Sequence, residues 1–437
     1  MATQVQSEAV TRDAGLTRSI GTLAFAATIV NGVIGGGIFA APSALAGSVG
    51  AWAPLALLAC GIAMGAIVLC CAEAGSRVPS SGGIYAYVEA AFGRGWGFVT
   101  GLVLWMSCIL AAAAVAAAFA DAIVALIPVG PPGVQRVVLL IGIMGLITAV
   151  NLRGARLGAR AAAAFSVVKL APLLLFVGIG LFAIDMDNLR PTTALDPGSF
   201  GKAMILSIFA FSGMETVLGA SGEVKRPERT IPRALLLAMG VVLLLYLGIQ
   251  IVAQGLLGPA LPNSAEPLAQ AIGVVHPALI PVIAIGAALS RGGWLFSDVL
   301  GAPRMPFAFA RDGLLPAALG RVNGAQVPGN AILLHVALAL ALALVGSFGT
   351  LVLLSGLFTV PIYLGACLAA LKLRRLDVRL TGTPYHAPGL GVAAAVGVIS
   401  MVALVALAGW VEIAGLAAAM AVSWVIYLLG RDRSART

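Results

Sequence analysis

The residues of this chain that could do chemistry are few, and they lie deep in apolar surroundings. The stretch Asn31 to Pro42, NGVIGGGIFAAP, places Gly35, Gly36 and Gly37 in a row inside the first long apolar segment. Each glycine costs a helix about 1 kcal/mol against alanine, so the run predicts a broken helix that bares backbone donors at bilayer depth. Lipid cannot satisfy such groups, and a break survives there only where it lines a cavity or meets a ligand. The plain alternative is close helix packing by small residues, which membrane interfaces use widely. A second weak point is FAFSGMET, Phe209 to Thr216, where Gly213 and Glu215 interrupt another apolar segment.

The other polar residues in apolar segments each carry two readings. Glu215 must be paired, protonated or hydrated at that depth, and it either braces the weakened helix or takes up a proton. Lys169 lies about eight residues into its segment, roughly 12 Å deep at 1.5 Å per residue, within reach of a snorkelling side chain. Arg291 and Asp298, seven residues apart, share one helix face and pair with each other or across helices, or Arg291 meets a substrate. Phe209 and Phe211 flank the second weak point and, with Trp294, either gate a site or only pack. His276, His335 and His386 have no metal-ligand spacing. GVIGGGIF follows no strand and has no lysine after its glycines, which excludes a dinucleotide or phosphate loop and with it ATP-driven pumping. No nucleophile, base and orienting residue stand together. Neither an enzyme, a cofactor nor a metal site is expected.

The elements that must hold these residues follow from composition. Of 437 residues 60% are hydrophobic and only 10% charged, and the mean hydropathy is +1.05, too little polar surface for a soluble globule. A spanning helix needs roughly 20 apolar residues, and about twelve such segments can be drawn: 20–46, 51–72, 97–120, 133–150, 161–184, 200–221, 235–257, one that follows a proline-rich outer loop (259–277) and ends at Ala310, 331–346, 350–371, 390–408 and 411–429. Between the second and third, Ile84 to Phe92 reads as a short interfacial helix with Tyr85 and Tyr87 at the headgroup level. The five cysteines all fall in apolar segments and read as packing residues rather than a disulfide framework. The net charge of +9 is not a nucleic-acid signature. With the N-terminus inside, nearly all Lys and Arg fall at cytoplasmic ends, with Arg136, Arg190 and Lys202 outside, and both termini are expected to be cytoplasmic in the inner membrane.

The two weak helices are the first and sixth segments, and five spans followed by five more match the inverted-repeat plan of secondary transporters. The expected division is a tail (1–19), a first five-helix repeat (20–184), a second (198–372), two additional transmembrane helices (389–429) and a second tail (430–437).

Several stretches resemble the amino acid-polyamine-organocation superfamily of transporters. They are GVIGGGIFAAP, AEAGSRVPSSGGIYAYVEAAFG, FAFSGMETVLGASGEVKRPERTIPRA and GAPRMPFAFARDGLLP, running from about Asn31 to Pro316 in the family's order. The resemblance implies an all-α integral membrane protein with broken helices 1 and 6, transporting amino acids by alternating access. The substrate carboxylate would meet amides of Gly35, Gly36 and Gly37. Its ammonium would meet carbonyls of Val33, Phe209, Ala210 and Ser212. Helix N-termini favour anions and exposed carbonyls favour cations. Many members carry serine at the middle glycine, where Gly36 offers no hydroxyl. In proton-coupled relatives a lysine placed like Lys169 stands where sodium-coupled cousins bind sodium; it would hold spans one and eight together when charged. Glu215 would couple the sixth span to the inner gate, and Phe209 and Trp294 would gate the site. The partners implied are an amino acid, a proton and the bilayer. Exchange of amino acids, amines or polyamines is the alternative mode, and a channel or receptor the alternative class.

Overall fold

The computed structural model describes residues 18–35, 37–127, 130–154 and 169–434. Gly36, Arg156, Arg160, the first tail up to residue 17 and the start of the fifth expected span lie outside them. Among the described residues the architecture is helical throughout, apart from an isolated parallel bridge between Ile20 and Val224. Nine helical runs are long and apolar enough to cross a membrane, and Thr22–Val33, Leu170–Gly180 and Gly329–Val345 are shorter apolar helices.

The first apolar segment forms two helices, α1 (Thr22–Val33) and α2 (Gly37–Val49), as the glycine run predicts. Next come α3 (Ala53–Arg77), α4 (Ile84–Phe92) and α5 (Arg94–Leu126). Then α6 (Pro132–Leu152) and α7 (Leu170–Gly180) follow. The second weak segment forms α8 (Pro197–Phe211) and the short α9 (Met214–Leu218). After it run α10 (Pro227–Leu257), α11 (Pro267–Val275), α12 (Ile280–Gly301) and α13 (Arg304–Arg311). The last four are α14 (Gly329–Val345), α15 (Phe348–Arg375), α16 (Leu390–Leu407) and α17 (Trp410–Ser434).

Helices apolar on every side sort into two kinds by what covers them. The column α5 is buried on most sides, against α4, α12, α14, α15 and α17. In contrast α6 buries only the stripe Leu140, Met144, Ile147, Thr148 and Asn151, and its opposite face, with Val134, Val138, Ile141 and Leu146, is exposed and apolar. Such a face is stable only against lipid. The five cysteines are buried and unbridged, in keeping with packing.

Three expectations need correction. The helix Ile84–Phe92 forms with its predicted bounds, but it is not interfacial. The turn through Gly82 and Gly83, both at positive φ, folds it back between α5 and α15. Tyr87 is therefore fully buried, and Tyr85 packs on Phe309 with ring centroids 5.6 Å apart. The eighth segment does not run unbroken to Ala310. Helix α12 stops at Gly301 and α13 starts at Arg304, because Pro303 has no N–H to continue the ladder. The proline-rich connection 259–277 is not all loop, since it contains α11.

Candidate functional site

The last regular bond of α1 is Ile34 N–H to Val30 O, after which Gly35 N–H turns back to Val33 O at 2.8 Å. In the second segment α8 ends at Phe211, Ser212 is extended, and Gly213 takes φ +122°, which only glycine adopts without strain. The two breaks touch: a Cβ on Gly213 would fall on the Gly32 carbonyl oxygen, and one on Gly32 would lie 2.7 Å from Val217.

Where they meet, a narrow cavity opens. Gly37 and Ile38 enter it from the N-terminus of α2, and Phe209, Ala210 and Ser212 from the C-terminal end of α8. Val33 and Gly35 complete the first break, with Val115 from α5 and Trp294 from α12 on the remaining walls. Orphan amides of α2 and orphan carbonyls of α8 thus converge on one small space, offering opposite partial charges to a ligand. The rings of Phe209 and Trp294 lie close over Gly37 and Gly35: a Cβ on either glycine would stand 2.7 Å from the ring. Phe211, by contrast, is buried against Tyr246 at 5.4 Å, outside the lining.

The expected carbonyls are not equally open. Val33 O accepts from Tyr246 Oη at 3.1 Å and from Gly35 N. Phe209 O accepts from Ser212 Oγ at 2.7 Å and Ser212 N at 3.3 Å. Both oxygens are filled in this conformation, because a carbonyl has two lone pairs. Likewise Gly35 N–H is engaged with Val33 O. Of the expected residues, Gly37, Ala210 and Ser212 line the cavity beside these filled groups; Gly36 lies outside the described residues.

Lys169 is 2% exposed, and its Nζ donates to Asn31 O at 2.6 Å and to Ile34 O. It does not snorkel; it holds the broken end of α1. The eighth span reaches the same break through its own groups, Ser290 Oγ to Gly35 O at 3.3 Å and Trp294 Nε1 to Gly32 O at 3.1 Å. Glu215 braces the second break, accepting Gly213 N–H at 2.9 Å, and its other oxygen accepts Tyr363 Oη of α15 at 3.1 Å.

Arg291 and Asp298 share a face of α12 but do not pair with each other. Arg291 makes a two-pronged pair with Glu266, at 3.0 and 3.4 Å, and Asp298 meets His335 of α14 at 2.8 Å. The guanidinium is therefore spent on the α10–α12 connection. Sequence reasoning passed over Ile38, Val115, Tyr246 and Tyr363. The two tyrosines carried a signal, lone hydroxyls inside apolar spans; Val115 carried none. No cluster of metal-ligating side chains occurs among the described residues.

Comparison with known proteins agrees with this geometry. The amino acid permease family model matches residues 20–430. An uncharacterized transporter of Mycobacterium tuberculosis is 33% identical over 342 residues, covering 75% of this chain and 74% of the relative. The serine/threonine exchanger of Bacillus subtilis is 30% identical over 357 residues, 77% of this chain and 79% of its own. The methylthioribose transporter of the same organism is 28% identical over 365 residues, 78% of each chain. With two interrupted helices enclosing a cavity among apolar, lipid-facing helices, and a match spanning nearly its whole length, the chain belongs to the amino acid permease family of membrane transporters.

Proposed function

We propose that this protein is a secondary active carrier of amino acids in the cytoplasmic membrane, working by alternating access and driven by protons. The observation that carries the reading is the convergence of the amide end of α2 and the carbonyl end of α8 on one cavity. A zwitterion is the small ligand that needs both poles at once.

Substrate is held at Gly35, Gly36 and Gly37 on one side and at Val33, Phe209, Ala210 and Ser212 on the other. In the conformation described, Val33, Phe209 and Gly35 keep their groups occupied internally, so binding exchanges those bonds for bonds to substrate as Phe209 and Trp294 move. Lys169 and Glu215 are the coupling residues, each tying a break to its surroundings. The helices support twelve spans in two inverted sets of five, 20–184 and 198–372, plus two more: α1 with α2 makes the first and α8 with α9 the sixth. Both termini are cytoplasmic under the positive-inside rule.

Exchange is the second reading, favoured by the likeness to a serine/threonine exchanger. Proteoliposomes decide. Labelled serine or alanine should enter by saturable counterflow, which no channel gives. Net uptake should follow an imposed proton gradient. Counterflow without gradient-driven net uptake establishes exchange, and absence of counterflow for every amino acid removes the carrier reading.

A further inference from the structure

We propose that Val115 sets the size of side chain the carrier accepts, and that the accepted class is amino acids with small, uncharged side chains. The inference rests on the amino-acid reading above. Among the described residues lining the cavity none is ionisable. Their polar side-chain hydrogens are spent internally, Ser212 Oγ–H on Phe209 O at 2.7 Å and Trp294 Nε1–H on Gly32 O at 3.1 Å. A charged side chain entering here would shed water and gain no partner. Polar recognition is left to backbone dipoles, and the rest of the wall is apolar.

Of that wall, Phe209 and Trp294 cover the glycines and Ile38 sits in the first turn of α2. Val115 alone comes from α5, the buried column that belongs to neither break, and it is 2% exposed. Its volume can change without disturbing an amide or carbonyl that holds the α-carbon groups. A single methylene in an apolar pocket discriminates by roughly tenfold or more.

The test is counterflow of labelled alanine into proteoliposomes, with alanine, valine, leucine, aspartate and lysine as competitors, for the wild type, Val115→Ala and Val115→Leu. Alanine should compete in the wild type, and aspartate and lysine should not. Val115→Ala should improve leucine relative to alanine by about tenfold, and Val115→Leu should weaken valine relative to alanine. Competition by aspartate or lysine equal to alanine overturns the class, and an unchanged order of competitors in Val115→Ala overturns the role of Val115. Should the wild type show no amino acid counterflow at all, it is the carrier reading that fails.

Discussion

Gly213→Ala is the sharpest single perturbation of the junction between the breaks. The residue holds φ +122°, a conformation that costs a residue with a Cβ about 1–3 kcal/mol. The added methyl would fall on the Gly32 carbonyl oxygen and lie 3.1 Å from Val33 N. Both are backbone atoms that no rotamer change can move aside. The cost therefore falls on the arrangement in which the breaks touch. Taking about 2 kcal/mol, that arrangement loses about thirtyfold in population against those in which the breaks separate. The assay is labelled-alanine counterflow beside ligand-induced thermal stabilisation of the purified protein. Apparent affinity should fall about thirtyfold while membrane insertion stays normal. Gly240→Ala, where a Cβ meets nothing within 4 Å, is the control and should behave as wild type. Wild-type affinity and rate in Gly213→Ala would refute the claim that contact between the breaks forms the site.

Further outcomes are expected. Lys169→Met leaves Asn31 O and Ile34 O without their donor, a loss of about 1–3 kcal/mol, and gradient-driven uptake should drop at least tenfold. Wild-type uptake should be unchanged when sodium is replaced by potassium, and sodium dependence would end the coupling role of Lys169. Glu215→Gln can still accept from Gly213 N–H through its amide oxygen and donate its amide N–H to Tyr363 Oη, so thermal stability should hold while the pH profile of transport flattens; an unaltered profile leaves Glu215 only its bracing role. Glu73→Ala strips the buried Arg77 of its nearer carboxylate, at 2.9 Å, and leaves it Asp377 at 3.5 Å, at a cost of about 3–5 kcal/mol that a thermal melt reads directly. Outside the spans, the Arg379 guanidinium holds the Asp377 carboxyl below its usual range. The stability it adds is complete above the unfolded carboxylate value and is lost as pH falls through the lower folded one. Melts of Asp377→Asn should therefore differ from wild type near neutrality and converge with it in acid.

Much of the fold could be read from local chemistry. A run of apolar residues long enough to span lipid has no alternative to helix, since every backbone group must be satisfied within the segment. The interruptions at Gly35 and Gly213 followed from glycine's poor helix propensity, which is equally local. Even the bounds of Ile84–Phe92 were legible, set by Gly83 and Gly93. Its burial was not, because an apolar helix with two tyrosines suits a headgroup layer and a protein interior alike; only packing against α5 and α15 chose between them. The same holds for the charges. Sequence required Arg291 and Asp298 to be partnered, because bare charges are costly in lipid, and left Lys169 between snorkelling and a partner. It could not name Glu266, His335 or the carbonyls of Asn31 and Ile34, which come from other helices. Val115 marks the limit: one valine among many apolar residues becomes a wall of the cavity only through the crossing of α5 with two breaks far from it in the chain. Local propensity determined where the helices run and where they fail, and tertiary packing decided which faces meet, because contact between distant helices depends on the summed fit of many side chains and not on any one residue's type.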